Sequence, residues 1–187
     1  KIFFFSHSHL TKKKFILLIF NFISSFIFLF LNKVFYVSKF TKRWWEKNFY
    51  FCKYAKNSIQ YNSIHIQTKK VRKIKKKFSI GFVGRLTKEK GIENFLNIAN
   101  YNKENFLFNI FSDEKLKLTN SQKKYINYFF NLKTKDIYKK IDLLLVTSPL
   151  ENCPFSVLEA KSYGIPILAY LTQGGIKEIV ENNKDGI

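Results

Sequence analysis

The sequence predicts an α/β fold organised around a parallel sheet, and three observations lead there. Beyond Lys77, short apolar runs of strand length alternate with polar stretches of helix length, the pattern of strands joined by crossover helices. The helical stretches are amphipathic or end on a capping signal. Hydrophobic residues make up 46% of the 187 residues and aromatics 18%, against seven glycines and three prolines, so a packed core is available and wholesale disorder is excluded.

Taken in order, the expected strands are Phe78–Val83, Phe106–Phe111, Ile126–Phe130, Leu143–Thr147 and Ile165–Tyr170. The first expected helix, Gly91–Asn100, repeats Ile92, Phe95, Leu96 and Ala99 at helical spacing. Lys135–Ile141 follows, then Phe155–Tyr163, opened by Pro154 and closed by Gly164, then Ile176–Asn182. Upstream, Phe15–Leu31 is a 17-residue stretch without a charge, interrupted by Asn21, Ser24 and Ser25 and flanked by Lys12, Lys13, Lys14 and Lys33. It reaches the short end of the roughly 17–25 residues that span a bilayer. Cations on both sides set no orientation, and no small-residue cleavage site follows. Two readings stay open: a helix buried beneath a sheet, and shallow contact with a membrane surface.

The 33 Lys and Arg outnumber the 13 Asp and Glu, a net charge of +20 that excludes an acidic protein. Residues 1–77 hold 18 of those cations and one acid, Glu46, a net of +17, with seven cations between Lys69 and Lys77. Such a segment is either a solvated linker or a patch for phospholipid head groups or nucleic acid. Cys52 and Cys153 lie far apart without metal-ligand spacing, which supports neither a disulfide framework nor a zinc site and fits a reducing compartment. Methionine is absent even at position 1, and Asp185-Gly186-Ile187 reads as an open turn, so the chain is expected to be a fragment at both ends.

Ligands of open α/β sheets bind beyond the carboxyl ends of the strands, so chemistry is expected just after each one. After the first comes Gly84-Arg85-Leu86-Thr87-Lys88-Glu89-Lys90-Gly91, a glycine and then two cations five apart at a helix entrance. This is either a phosphate cradle or an ordinary strand-to-helix turn. No Gly-Lys-Ser/Thr makes it a Walker loop, and Gly81-Phe82-Val83-Gly84 is not the dinucleotide fingerprint. After the fourth strand, Glu151 and Glu159 stand eight positions apart within Ser148–Ala160, the first in a loop and the second in a helix. A carboxylate accepts hydrogen bonds from the vicinal hydroxyls of a ribose or hexose, and the free N–H groups of a helix start bind an anion or hydroxyls. A glycosidase pair would leave the cationic loop unexplained, and a solvated Glu151 with a helix-favouring Glu159 is the plain alternative.

Three segments at these separations, Gly-Arg-Leu-x-x-x-Lys-Gly at Gly84–Gly91, Glu-x7-Glu at Glu151–Glu159 and Gly174-Gly175-Ile176-Lys177-Glu178 after a strand, resemble the GT-B glycosyltransferases of family 4, the retaining glycosyl transferases of group 1. The resemblance covers Phe78 to Ile187 and implies a Rossmann-like parallel sheet with helices on both faces. The upstream part is similar to the end of a second Rossmann-like domain in the same family, with Lys1–Phe5 and Lys33–Val37 as strands, His7-Ser8-His9, a helix at Phe15–Leu31, Ser38, and Asn62 before a linker. It implies an acceptor-side part over residues 1–67, a basic linker over 68–77 and a truncated nucleotide-sugar domain over 78–187.

The resemblance further implies roles. Arg85 and Lys90 match the cations that stabilise a departing nucleoside diphosphate without a metal, Glu151 the contact to the donor sugar, and Glu159 the partner of the ribose hydroxyls. Gly84, Asn152, Gly174, Gly175 and the backbone N–H groups of Phe155, Ser156 and Val157 belong to the donor site. His7 matches an acceptor-side histidine near the sugar, or is simply a turn residue at a strand end. The resemblance also implies a UDP- or GDP-linked donor, no cofactor, a polysaccharide or lipid-linked hydroxyl as acceptor, and transfer with retention of configuration. Two departures stand out: Phe111-Ser112-Asp113-Glu114 replaces the usual Gly-x-Gly, and Pro154 replaces a glycine of some members. The front of the acceptor domain is missing, so the chain alone is expected to be inactive. The basic segment and Trp44-Trp45 suggest a cytoplasmic protein peripheral to the inner membrane, while a non-catalytic module on anionic membrane or nucleic acid is the rival reading.

Overall fold

The computed structural model describes residues 3–6, 22–23, 25–65, 77–170 and 173–186. Five parallel strands form the larger sheet: β4 (Ser79–Val83), β5 (Leu107–Ser112), β6 (Ile126–Phe130), β7 (Leu143–Val146) and β9 (Ile167–Ala169), in the order β6-β5-β4-β7-β9. A smaller parallel sheet joins β1 (Phe3–Ser6), β2 (Lys33–Tyr36) and β3 (Asn57–Ile59), and the two-residue β8 (Leu150–Glu151) pairs with β10 (Gln173–Gly174). The helices that accompany them include α1 (Lys39–Asn48), α2 (Ile92–Tyr101), α3 (Thr134–Ile137) and α4 (Phe155–Ser162).

The two-residue period of a strand sorts the side chains of the larger sheet to its two faces. Ile80, Phe82, Phe108, Ile110 and Leu145 pack on one side with Ile92, Phe95 and Ala99 of α2. Phe111, Leu144 and Val146 pack on the other with Ile137 of α3 and Val157 and Ala160 of α4. Helices therefore cover both faces, which is why β4, β5 and β7 are apolar almost throughout rather than alternating. Asn109 is the buried polar exception in β5, and it is satisfied: its amide donates to the Lys140 carbonyl at 2.8 Å and accepts from Asn127 at 3.0 Å.

Every expected strand of the larger sheet is present, and the shortened elements have local causes. Helix α3 stops at Ile137 instead of Ile141, because the Lys140 carbonyl is turned toward Asn109 and Ser79 Oγ (3.0 Å) and Ile141 drops onto Gly81. Strand β9 starts at Ile167 rather than Ile165: Pro166 has no N–H for the ladder, and the Ile165 N–H bonds back to Ala160. The helix expected over Ile176–Asn182 is one 3-10 turn, Ile176–Glu178, followed by a turn in which Asn183 takes a positive φ. Gly164 takes φ 65° and closes α4 as expected.

In the smaller sheet, Phe28, Val34, Tyr36, Phe49, Cys52 and Ala55 form the core. Of the long helix expected over Phe15–Leu31, Phe22 and Ile23 are α-helical and Ser25–Phe30 form a 3-10 helix; residues 15–21 and 24 lie outside the described set. Three residues per turn put Ser25 and Phe28 on one buried edge, and Phe26, Ile27, Leu29 and Phe30 remain exposed. Trp44 and Trp45 are half-buried and pack against this core, Trp45 stacking on Phe49 at 4.4 Å between ring centroids. His7 and most of the linker over 68–77 also lie outside the described residues.

A Cβ added to Gly81 would lie 2.5 Å from Ile141 Cγ2 and 2.8 Å from Cδ1. Gly81→Ala is expected to lower the unfolding free energy in urea by about 1–3 kcal/mol. In an Ile141→Ala background, which lacks both clashing atoms, Gly81→Ala should cost less than it does in the wild-type chain; strictly additive losses would refute the contact.

Candidate functional site

In the strand order β6-β5-β4-β7-β9, the chain reverses direction across the sheet between β4 and β7, and crevices open at such switch points. A cleft of about 770 Å³ lies there, a size suited to a small-molecule ligand. Its walls come from the loop after β4 (Gly84, Arg85, Glu89, Lys90), from the segment after β7 (Pro149 to Ser156, with Glu159 of α4), and from Asn62 beyond β3.

Gly91 makes this meeting feasible. It sits at φ 72°, and a Cβ there would lie 2.1 Å from the Thr147 carbonyl oxygen, so a glycine lets the loop press against the end of β7. The Thr147 hydroxyl closes the contact by donating to the Gly91 carbonyl at 2.7 Å. Lys90 is thereby delivered to Glu151: Nζ lies 2.6 Å from Oε1, and the Ser148 hydroxyl donates to the same oxygen at 2.8 Å. Glu151 is 8% exposed, so its charge is held by these two donors in a largely dry setting. Arg85 stands at the mouth, with its side chain 59% exposed and 3.8 Å from Glu89.

Glu159 faces the cleft from the second turn of α4 and accepts from the Tyr138 hydroxyl at 2.8 Å. The N–H groups of Phe155, Ser156 and Val157 precede the first bond of the α4 ladder, from Leu158 to Pro154, and so belong to the helix start. Phe155, Ser156 and Asn152 line the cleft, whereas the Val157 side chain is fully buried in the core. Gly174 and Gly175 are not in the wall: they back onto the main chain of Glu151 and Asn152 and onto Ser38. Arg85, Lys90, Glu151 and Glu159, far apart in the chain, thus surround one cavity.

Three braces escape sequence reasoning. Glu114, in the segment replacing the glycine pair, accepts from the Leu86 N–H at 2.7 Å and steadies the loop that carries Arg85. The Tyr128 hydroxyl donates to the Glu114 carbonyl. Glu178, the acid closing the Gly174–Glu178 segment, accepts from the N–H groups of Lys39 (2.8 Å) and Phe40 (2.9 Å) and from the Tyr61 hydroxyl (2.8 Å). It caps the positive end of α1 alongside Ser38, whose hydroxyl accepts from Thr41 N–H at 3.0 Å. Asn62 adds a second tie between the sheets by donating to the Cys153 carbonyl at 2.8 Å. Among the described residues, no three His, Cys, Asp or Glu side chains gather as a metal cage requires.

Residues 63–187 match the family described as glycosyl transferases group 1. The chain belongs to this family. A curated relative from Klebsiella pneumoniae, an uncharacterized 41.2 kDa protein in the cps region, is 28% identical over 152 residues, covering 71% of this chain and 42% of that protein. Among solved structures, sucrose-phosphate synthase from Thermosynechococcus elongatus superposes with a TM-score of 0.73 at 14% identity, covering 88% of this chain and 47% of that one. A mutant of S. aureus TarM, solved with fondaparinux, alpha-GlcNAc-glycerol and UDP, gives 0.70 at 16% identity, with 87% and 35% covered. Anabaena HepE in complex with UDP-glucose gives 0.66 at 16%, with 84% and 49% covered. At these identities the structures speak for the fold, which is the Rossmann-like α/β arrangement of GT-B glycosyltransferases. This group 1 chain spans less than half the length of each of these proteins.

Burial, and after it the Glu178 carboxylate, pushes the Tyr61 phenol up to about 12. Because folding raises this pKa, the stability it contributes is complete below the ordinary phenol value near 10 and disappears as pH climbs through about 12. Glu178→Ala is expected to return the Tyr61 titration, followed by its ring carbon signals in NMR, toward 10 and to weaken the capped helix by about 1 kcal/mol. An unchanged titration would contradict the contact.

Proposed function

We propose that this chain carries the donor site of a retaining family 4 glycosyltransferase, which moves a sugar from a UDP- or GDP-linked donor to a hydroxyl of a polysaccharide or lipid-linked acceptor. The observation that carries the reading is the convergence of two cations and two carboxylates on one cleft at the switch point of the sheet. Membership of the glycosyl transferases group 1 family supports it, as does a relative from a cps region, which fits surface-glycan synthesis. In this reading residues 78–187 are the nucleotide-sugar domain, 68–77 a basic linker and 1–67 the end of the acceptor-side domain.

The chemistry follows from the placement of the charges. As the bond between the sugar and the diphosphate breaks, negative charge grows on the leaving oxygen, and preorganised cations favour that state over the ground state. Arg85 at the mouth and Lys90 inside supply it, so no metal is required. Lys90 is held by Glu151, so a diphosphate entering the cleft competes for an ammonium group that is already aimed. The first turn of α4 offers N–H groups to phosphate or sugar oxygens, Glu151 meets the sugar, and Glu159 accepts from the ribose hydroxyls. His7 is assigned to the acceptor side near the sugar. The basic segment over 1–77 favours a position on the cytoplasmic face of the inner membrane, with nucleic acid as the disfavoured partner.

UDP or GDP is expected to raise the melting temperature, by the equivalent of about 2.7 kcal/mol at a hundredfold excess over Kd, and Glu159→Ala should remove most of that shift. Where turnover is assayed, Lys90→Ala or Arg85→Ala should lower kcat by about two decades, roughly 3 kcal/mol in the barrier. Nucleotides that leave the melting curve unmoved would defeat the donor reading. Separately, co-sedimentation with anionic vesicles at low salt is expected, and its absence would remove the membrane assignment.

A further inference from the structure

We infer that Tyr138 is the positioning residue for Glu159, fixing its carboxylate so that the site selects a nucleotide by its ribose hydroxyls. This rests on the donor reading above and adds to it a residue from outside every motif. Tyr138 follows α3, is 1% exposed, and lies in the core beside Ile137 and Ile141. Its hydroxyl stands 2.8 Å from Glu159 Oε2 and 3.0 Å from the Ser156 carbonyl oxygen. One phenolic proton serves one of them at a time, and the charged carboxylate is the stronger acceptor.

The ring cannot swing away: it stacks on Tyr163 with centroids 5.3 Å apart and planes at 19°. Tyr163 lies four residues beyond Glu159, so the stack and the hydrogen bond hold the same side of α4. Burial, then the Glu159 charge, pushes the phenol far above its ordinary range, so it stays a donor at neutral pH. Among the described residues Tyr138 is the hydrogen-bond partner found for the Glu159 carboxylate, and it engages Oε2. Oε1 is left to accept within the cleft that Glu159 lines. A phenylalanine would fill the same space in the core, so what the hydroxyl adds at this position is a fixed donor for the Glu159 carboxylate.

Titration calorimetry of the full chain with UDP and GDP, and with their 2′,3′-dideoxy counterparts, tests this. The wild-type chain should prefer the ribose form by tenfold or more, and Tyr138→Phe should weaken the ribose form about five- to tenfold while leaving the dideoxy form within twofold. Should Tyr138→Phe unfold, Tyr163→Leu decides the matter: it removes the ring that holds Tyr138 in place, keeps Glu159 and the phenol, and should weaken the ribose form while sparing the dideoxy form, whereas equal weakening of both would overturn the inference. In a Glu159→Ala background Tyr138→Phe should have no further effect on the ribose form. A merely structural Tyr138 would weaken both nucleotide forms equally, and that outcome overturns the inference while the donor reading stands. A wild-type chain that binds nucleotide without ribose preference overturns it together with the ribose contact of Glu159 and leaves the rest of the donor reading standing, whereas binding of neither nucleotide overturns the donor reading whole.

Discussion

The whole candidate site depends on a backbone contact, the approach of Gly91 to the end of β7. Any side chain at that position would meet the Thr147 carbonyl, and its left-handed backbone would be strained as well. The contact sets the separation between the loop after β4 and the segment after β7. The ammonium of Lys90 and the carboxylate of Glu151 stand 2.6 Å apart as a result. Charges of opposite sign would attract from further away, but attraction alone does not select one geometry from the many that two flexible side chains allow. The glycine does, before any ligand arrives, and preorganisation of this kind lets electrostatics act without reorganisation at the moment of reaction.

Around that contact the molecule spends polar groups where they control geometry. Asn109 and Asp142 secure the amino ends of the strands, Asp142 by accepting from the Ser79 N–H at 2.9 Å. At the carboxyl ends, Glu114 secures the loop that carries Arg85 and Ser148 secures Glu151. The apolar layers on either face of the sheet supply stability, and the polar ties at its two rims supply register.

What the sequence made legible was what depends on local pattern. All five strands of the larger sheet, helices α2 and α4, and the loops bearing Arg85, Lys90, Glu151 and Glu159 follow from apolar periodicity, from Gly and Pro at element ends and from motif spacing. Helix α3 was overestimated because the pull of Asn109 and Ser79 on the Lys140 carbonyl is a tertiary event. Helix α1 was overlooked, although Ser38 stood out, because half of its cap is Glu178, 139 positions away from Lys39. Tyr138 carried no signal at all: an aromatic residue after a short helix looks like core, and only the position of its oxygen distinguishes it.

The cap on α1 has a mechanical consequence. Its carboxylate belongs to the segment behind the larger sheet, while the helix it grips, ten residues long, belongs to the smaller one. One carboxylate therefore joins the two sheets through three bonds, to Lys39, Phe40 and Tyr61. The wall that Asn62 gives the cavity is thus moored at both ends, to the main chain of Cys153 on one side and, through the neighbouring Tyr61, to Glu178 on the other.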